Sequence, residues 1–439
     1  MIKGLVLPLL ICASVSILSQ NPIVPPGLYM ADPTAKVWDD GRLYIYGSVD
    51  ESAEYYCSYK YHVLSTGDLA HWTIHENSFS SKGEGDQVDY SDALLFAPDC
   101  VVKGDSFYLY YCQPDPTHAE GVAVSESPAG PFLNGTAIET GGHNQIDPCL
   151  FMDDDGQAYY IWGQTSVKMA RMNPDMRTPD LSTLNESVIN EKDHFFHEGA
   201  HMVKRNGIYY LLYAHLGRAD MPTCIGYCTS RSPMGPFAYG GVIVDNDHCD
   251  PGNWNNHGSV MEFGGEWYVF YHRATHNSKM MRKACIEPIS FNEDGSIDEV
   301  PMTSQGAGPP FKAVSRIPAE RACLLYGNVR IQMCAEDNEE LGGIRDQDKA
   351  VFKYVDFGSG VDSIIVRVKP GTFQGGISVK ADMPWGPGIG YVSVAEANGG
   401  KDWVEVSSAA EALEGVHALW LVFDGKGEEL FSVDWIEFR

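Results

Sequence analysis

Five short runs of aromatic and aliphatic residues recur along the first two thirds of the chain. Each run follows a turn glycine and then alternates, or stays apolar, for five to seven residues. A turn that leads into such a run is typical of a hairpin entering a buried strand. No comparably long helical periodicity lies between the runs, so the pattern predicts an all-β chain. The turn glycines lie 51 to 63 residues apart, at Gly41, Gly104, Gly156, Gly207 and Gly265.

A strand-rich unit of about 50 residues, repeated five times, has the length of a four-stranded propeller blade. Near copies outside the runs, 127–132 and 232–237, support the repeat. We therefore expect a five-bladed β-propeller over residues 20–301. The alternative is a β-sandwich that contains tyrosine-rich hairpins by chance.

The composition of the chain changes near Met302. Residues 302–316 are rich in glycine and proline and are predicted to be a linker. Residues 317–439 show short alternating runs separated by turn residues. This pattern predicts a second module, a β-sandwich of the jelly-roll type.

The N-terminal 19 residues contain the one long apolar stretch of the sequence. A lysine, a short apolar core and small residues near Ser19 predict a signal peptide, and the stretch is too short for a stable membrane span. We therefore expect a secreted or periplasmic protein without a membrane anchor. Ten cysteines follow this segment, and the sequence leaves disulfides and buried free thiols equally open.

The charge of the chain narrows the choice of partners. There are 31 Lys and Arg residues against 59 Asp and Glu residues, which gives a formal net charge of −28. Such a field repels nucleic acid and anionic lipid, so we expect neither as a partner. A neutral substrate fits best.

Three carboxylates stand at the same distance from three of the turn glycines. Asp32, Asp147 and Glu198 each precede their glycine by nine residues. Equal offsets in equivalent blades predict that the three side chains converge at one end of the propeller. Carboxylates that converge in a pocket repel one another, so at least one should hold a proton near neutral pH. One base and one protonated acid are what glycoside hydrolysis requires, whereas strand-capping roles are the structural alternative.

The segments ADPTA, IDPCLF, HEGAHM and NNHGSV, together with the fivefold pattern, resemble glycoside hydrolase family 43 over about residues 21–301. The resemblance implies an inverting enzyme in which Asp32 is the general base and Glu198 the general acid. Asp147 would orient the acid and tune its pKa. No cofactor is implied for the chemistry, although a structural calcium ion is. The C-terminal module favours an enzyme that removes terminal α-L-arabinofuranosyl residues from plant polysaccharide, either arabinoxylan or arabinan.

Other site residues are expected as well. By the resemblance, Arg273 is the active-site arginine and His257 faces a calcium ion or water cluster on the propeller axis. Asp99 is a candidate sugar contact, and Phe96 and Trp254 are expected to stack on a sugar face. For Asp99 a structural role stays open because it precedes its turn glycine by five residues and not by nine. For His257 it stays open because calcium prefers oxygen ligands.

The segments between Ile317 and Phe438 resemble carbohydrate-binding module family 6. By this resemblance, Glu320 and Asp434 contribute to a structural calcium site. The usual sugar cleft is altered, because Lys401 stands where a stacking tryptophan is expected and Ser432 replaces an asparagine. A packing or spacer role for the module is therefore at least as well supported as glycan binding.

Several functional hypotheses stay open. A β-xylosidase or an exo-galactanase of the same family is the nearest enzymatic alternative, and an open groove would favour an endo-arabinanase. A non-catalytic glycan-binding propeller would not need both a base and a separate acid. The Asn-Asp-Pro-Asn and Arg-Asp-Pro signatures of fructan-cleaving propellers are absent from the sequence.

Overall fold

The computed structural model describes residues 12–16, 20–372, 374–395 and 402–439. Strands dominate, and the helices within these ranges are the short α1 (Glu191–His194) and one turn of 3-10 helix (Ala319–Arg321). The all-β prediction is therefore confirmed. Among the described residues, no helix has the length and apolar character needed to cross a membrane.

Lys401 and most of the predicted signal peptide, 1–19, lie outside the described residues. The exception is the backbone of β1 (Cys12–Ser16), which pairs antiparallel with β5.

Up to Ile289 the described chain forms five successive antiparallel sheets. Sheet 1 contains β1, β2 (Met30–Val37), β3 (Leu43–Val49), β4 (Lys60–Thr66) and β5 (His71–Ser80). Sheet 2 contains β6 (Phe96–Lys103), β7 (Ser106–Cys112), β8 (Glu120–Ser125) and β9 (Leu133–Ala137). Sheet 3 contains β10 (Cys149–Met152), β11 (Ala158–Trp162), β12 (Lys168–Met172) and β13 (Pro179–Asn185). Sheet 4 contains β14 (Phe196–Arg205), β15 (Ile208–His215), β16 (Cys224–Ser230) and β17 (Ala238–Asp245). Sheet 5 contains β18 (Ser259–Phe263), β19 (Glu266–Thr275) and β20 (Ser278–Ile289).

Each aromatic run forms the second strand of its sheet as counted from β2, β6, β10, β14 and β18. The turns before these strands need glycine where the backbone is left-handed, as at Gly41 and Gly207, both with φ 73°. The strands are apolar on both faces because each sheet packs between two neighbours. In β15, for example, every residue after Ile208 is buried.

The first strands of the sheets contact one another in a ring, in the order β2, β6, β10, β14, β18 and back to β2. Between the last strand and the first, the Ala35 N–H donates to Ser259 Oγ at 2.9 Å. The Ser259 hydroxyl in turn donates to the Pro33 carbonyl at 2.8 Å. Residues at the N-terminal ends of these five strands therefore meet at the centre of the ring.

The C-terminal module is built from two antiparallel-rich sheets packed face to face around a shared apolar core. One sheet contains β21 (Phe311–Lys312), β23 (Leu324–Tyr326), β26 (Lys349–Asp356), β28 (Gly375–Ala381), β29 (Gly388–Val394) and β31 (Val416–Gly425). The other contains β22 (Ile317–Pro318), β24 (Arg330–Ala335), β25 (Asn338–Gly342), β27 (Ser363–Pro370), β30 (Val404–Ala409) and β32 (Phe431–Phe438). Alternate residues of these strands point inward, as the sandwich prediction requires.

The predicted linker, 302–316, is packed rather than free. Residues 302–304 are buried, and the Ser304 N–H donates to the Lys353 carbonyl at 2.7 Å. Phe311–Lys312 form β21, which pairs in parallel with β26 of the module. Part of this segment thus belongs to the sandwich.

All ten cysteines from Cys57 onward are free thiols, and nine of them are buried. Between the two possibilities that the sequence left open, the structure has buried thiols.

Buried polar contacts join the five sheets to the module. Lys283 Nζ lies 2.6 Å from Glu339 Oε2, and both side chains are 1% exposed. Burial lowers the pKa of Lys283 even though Glu339 opposes it. On the same face, Arg273 donates to the backbone carbonyls of Ala322 and Glu320, each at 2.8 Å. The module therefore completes hydrogen bonds that the five sheets need when folded.

We predict that Glu339→Gln destabilises the whole chain, because it leaves the Lys283 ammonium buried without a counter-charge. Removing one partner of a buried ion pair costs about 3–5 kcal/mol. The matched control is Glu405→Gln, whose partner Arg316 lies 3.8 Å away with both side chains more than half exposed. That exposed pair contributes at most about 1 kcal/mol. Denaturant unfolding of both variants measures the difference, and equal losses would contradict the interface assignment.

Candidate active site

A pocket of about 400 Å³ lies at the centre of the ring, and all three predicted carboxylates line it. Its volume is within the usual range for a small-ligand site. The lining residues are Asp32, Tyr56, Cys57, Phe96, Ala97, Ile146, Asp147, Gln164, His197, Glu198, Trp254, Asn255, His257, Lys279 and Arg282.

The backbone is irregular where each carboxylate enters the pocket. Asp32 and Asp147 have left-handed φ values of 53° and 60°, an unfavourable conformation for residues that precede proline. The pairing of β2 with β3 shifts register around Asp32, and that of β14 with β15 shifts on both sides of Glu198. Bulges of this kind re-aim a side chain out of the ladder. Gly199 (φ 71°) completes the bend, because a Cβ there would come within 2.7 Å of the His257 ring.

Asp32 is surrounded by cationic and hydrogen-bonding groups. Its Oδ1 lies 3.0 Å from Arg282 Nη1, 3.3 Å from His272 Nδ1 and 3.5 Å from His257 Nδ1. Its Oδ2 accepts a hydrogen bond from Ser48 at 2.6 Å. Burial raises the pKa of Asp32, but Arg282 and the two histidines outweigh burial and hold the pKa below its ordinary value. Asp32 is therefore ionised at neutral pH, as a general base must be.

Asp147 has the opposite environment. Burial, together with the negative charges of Glu198 and Asp32, raises the pKa of Asp147 well above its ordinary value. The Gly199 N–H donates to Asp147 Oδ2 at 3.0 Å, which fixes the orientation of the carboxyl group. The raised pKa favours the protonated form of the Asp147 carboxyl group.

Glu198 is held by two amides. Gln164 donates to its Oε2 at 2.9 Å and Asn255 donates to its Oε1 at 3.0 Å. Its side chain is 14% exposed, against 6% for Asp32, so it is the more accessible of the two from the pocket. Asn255 also places its Oδ1 3.2 Å from Nε2 of His272, the residue that contacts Asp32. One asparagine therefore links the surroundings of the two carboxylates.

The arginine of the pocket is Arg282, and the prediction of Arg273 in this role is wrong. Arg273 is fully buried and bonds to the module. Residues directly opposite in an antiparallel pair share a face, and successive residues alternate. Arg273 lies opposite Lys283, which also faces the module, whereas Arg282 lies opposite Ala274 and faces Asp32. A basic residue inside an apolar strand was the signal available in the sequence. Choosing Arg282 over Arg273 also requires the register of the β19–β20 hairpin, which the sequence does not give.

Asp99 also lies away from the pocket, so its prediction as a sugar contact is corrected. Its side chain is 1% exposed, and Lys36 Nζ lies 2.8 Å from its Oδ1. Its Oδ2 accepts the N–H of Leu150 at 2.7 Å. Phe96 and Trp254 do line the pocket, and Trp254 is 39% exposed. Gln164, Asn255 and Arg282 are pocket residues that sequence reasoning did not identify.

The predicted calcium ligands do not fit that ion well. His257 is buried beside Asp32 and supplies nitrogen, whereas calcium takes six to eight oxygen ligands. In the module, Asp434 accepts from Asn338 and from Arg367, each at 2.8 Å. The Arg367 guanidinium beside this carboxylate opposes a second cation. Burial raises the pKa of Glu320 to about 7, so a proton can take the place of a metal there.

Curated relatives resemble the chain over nearly its whole length. A protein named xylosidase/arabinosidase from Thermoclostridium stercorarium is 30% identical, with 93% of this chain and 96% of the relative covered. An arabinoxylan arabinofuranohydrolase from Bacillus subtilis is 29% identical, with 96% and 92% covered. Among solved structures, a Bacillus subtilis arabinoxylan arabinofuranohydrolase in complex with cellotetraose matches with a TM-score of 0.57 and 27% identity. The match covers 97% of this chain and 99% of that one.

Two family models divide the chain between them. Residues 322–439 match carbohydrate binding module family 6, in agreement with the position of the sandwich. Residues 19–297 match glycosyl hydrolases family 43 and include every strand of the five sheets from β2 to β20, and the three carboxylates of the pocket. The chain therefore belongs to glycosyl hydrolases family 43 and is a glycoside hydrolase with a C-terminal family 6 module.

Proposed function

We propose that the protein removes terminal α-L-arabinofuranosyl residues from plant polysaccharide, arabinoxylan or arabinan, with inversion at the anomeric carbon. The observation that carries the proposal is the contrast among the three acids of the pocket. Arg282 and two histidines hold the pKa of Asp32 below its ordinary value, burial raises the pKa of Asp147, and Glu198 is the most accessible of the three. The five sheets are, in this proposal, the five blades of a propeller, supported by the ring of contacts among their first strands.

The reaction uses two of the carboxyl groups directly. Asp32 accepts a proton from water as the water oxygen attacks the anomeric carbon, and Glu198 gives its proton to the departing glycosidic oxygen. Each turnover leaves Asp32 protonated and Glu198 ionised, and solvent restores both. Asp147 orients this acid, because its carboxyl group accepts the N–H of Gly199, the residue next to Glu198. No cofactor takes part in these steps.

The rim of the pocket suits a neutral sugar. Phe96, Tyr56 and Trp254 offer aromatic faces, and Lys279 lies 5.8 Å from the ring centroid of both Tyr56 and Trp254. Apolar sugar faces pack on such rings, while hydroxyl groups bond to the charged and amide groups below. The net charge of −28 disfavours polyanionic substrates. Export of the protein is part of the proposal and is supported by the N-terminal sequence.

A β-xylosidase activity is the second candidate, because relatives carry names that combine xylosidase and arabinosidase. We predict turnover of nitrophenyl α-L-arabinofuranoside well above that of nitrophenyl β-D-xylopyranoside. Initial rates of both, with and without calcium, measure the preference. Faster cleavage of the xyloside would replace the arabinofuranosidase proposal by the xylosidase one, and cleavage of neither would direct attention to galactan and to endo action.

Replacement of the acid should affect substrates according to their leaving groups. We predict that Glu198→Gln reduces turnover of polysaccharide far more than that of aryl glycosides with acidic phenols, which need little protonation. General acid catalysis contributes about 10²–10⁴-fold, which sets the size of the difference. Glu186→Gln, at a side chain 66% exposed, is the matched control. Equal losses on both substrates would assign the acid role to another residue.

Replacement of the base should affect every substrate alike. We predict that Asp32→Asn lowers kcat by at least about 10³-fold on aryl glycosides and polysaccharide, since water is then not activated. Asp39→Asn, an exposed aspartate after the same strand, should retain full activity. Circular dichroism checks that both variants fold. Substantial activity in a folded Asp32→Asn protein would contradict the base assignment.

A further inference from the structure

A second cluster of reactive side chains lies at the centre of the ring. Ligand atoms of Asp99, Cys149 and His201 lie within 4.8 Å of one another, and all three residues are buried. They come from the first strands of three successive sheets, β6, β10 and β14. His201 is 2% exposed, its Nδ1 lies 3.8 Å from Cys149 Sγ, and its Nε2 has no hydrogen-bond partner. Carboxylate oxygen, thiolate sulfur and imidazole nitrogen are together a donor set for zinc or cobalt.

A side chain from sheet 1 already supplies positive charge to this cluster. Lys36, on β2, lies 2.8 Å from Asp99 Oδ1, and its side chain is 12% exposed. Burial lowers the pKa of Lys36, but the Asp99 carboxylate outweighs burial, and the pKa lies above its ordinary value. Burial also lowers the pKa of His201 to about 3, so this imidazole is neutral at physiological pH. The cluster therefore holds one buried cation and one buried anion.

Calcium does not fit this position. The three ligand groups supply a single carboxylate, a sulfur and a nitrogen, whereas calcium prefers oxygen throughout. As long as Lys36 is present, Asp99 Oδ1 faces its ammonium and Oδ2 accepts the Leu150 N–H, so neither oxygen is left for an ion. At this point the Lys36 ammonium supplies the positive charge that links the first strands of neighbouring sheets, as a bound metal ion could.

We propose that the Lys36 ammonium takes the place of a bound metal ion at the centre of the ring, and that Asp99, Cys149 and His201 form a latent transition-metal site that Lys36 keeps closed. This assignment does not depend on the substrate of the enzyme. It predicts that the wild-type protein neither needs nor gains a metal at this cluster.

The test is Lys36→Met, which removes the ammonium but keeps an unbranched side chain. Without metal the variant should unfold at least about 5 °C below wild type, because the buried Asp99 carboxylate is left without a counter-charge. One equivalent of Co²⁺ should recover most of that loss and give a thiolate-to-cobalt absorption band. Lys60→Met is the matched control, since Lys60 pairs with Glu51 at 2.7 Å with both side chains over one third exposed. This control should respond to Co²⁺ as wild type does.

A second variant covers the case in which the first does not fold. Lys36→Met combined with Asp99→Asn removes both charges, and it should fold without metal and show no cobalt band. A Lys36→Met protein that is recovered only when Zn²⁺ or Co²⁺ is present supports the proposal. A folded Lys36→Met protein that binds cobalt no better than wild type overturns it. The proposal is also overturned if the wild-type protein contains a metal ion whose removal by a chelator lowers its stability, and if the double variant contains no such ion.

Discussion

The arrangement of the site depends on the hydrogen bonds that the Arg282 side chain donates. Its guanidinium reaches from the last sheet to the first and bonds both oxygens of Asp50 and one oxygen of Asp32. The same three hydrogen bonds join the ends of the ring and keep the proposed base ionised. Burial opposes the charge on Arg282, yet Asp32 and Asp50 raise its pKa well above the ordinary value. The Arg282 side chain thus contributes both to the contact between the last and first sheets and to the charge state of Asp32, and its replacement alters both.

Much of this fold follows from local sequence patterns. The five aromatic runs predicted five buried strands, and the equal offsets of Asp32, Asp147 and Glu198 predicted that they meet in one pocket. Both predictions need only strand periodicity and repetition. Arg282 could not be identified in this way, because choosing between it and Arg273 requires the hairpin register. Asp99 was correctly placed on the first strand of sheet 2, but its partner is Lys36 of sheet 1 and not a sugar. A contact between two sheets could not be read from local patterns.

Buried polar contacts between the module and the five sheets stabilise the folded state of both. Arg273 and Lys283, on adjacent strands of sheet 5, both reach groups of the module from buried positions. Ser304 and β21 extend the contact through the segment that sequence composition marked as a linker. Glycine and proline content reports turns, but it does not report whether the turns are packed. A role in stabilising the catalytic sheets is therefore built into this module, whatever it binds.

The hydrogen bonds of Asn21 can form only after a late part of the chain has been synthesised. Its side chain bonds to Ile286, Glu287 and Thr303, and the separation from Ile286 is 265 residues. At a synthesis rate of about 5–20 residues per second, the partners of Asn21 emerge from the ribosome roughly 10–50 s after it does. Sheets 2 to 4 contain only local pairings and can form during this interval. The strands of sheet 1 also pair only with one another, but the apolar residues of this sheet that later pack against sheet 5 stay uncovered until residues 286–303 have been made. During this interval that face of sheet 1 is open to non-native contacts and to chaperones.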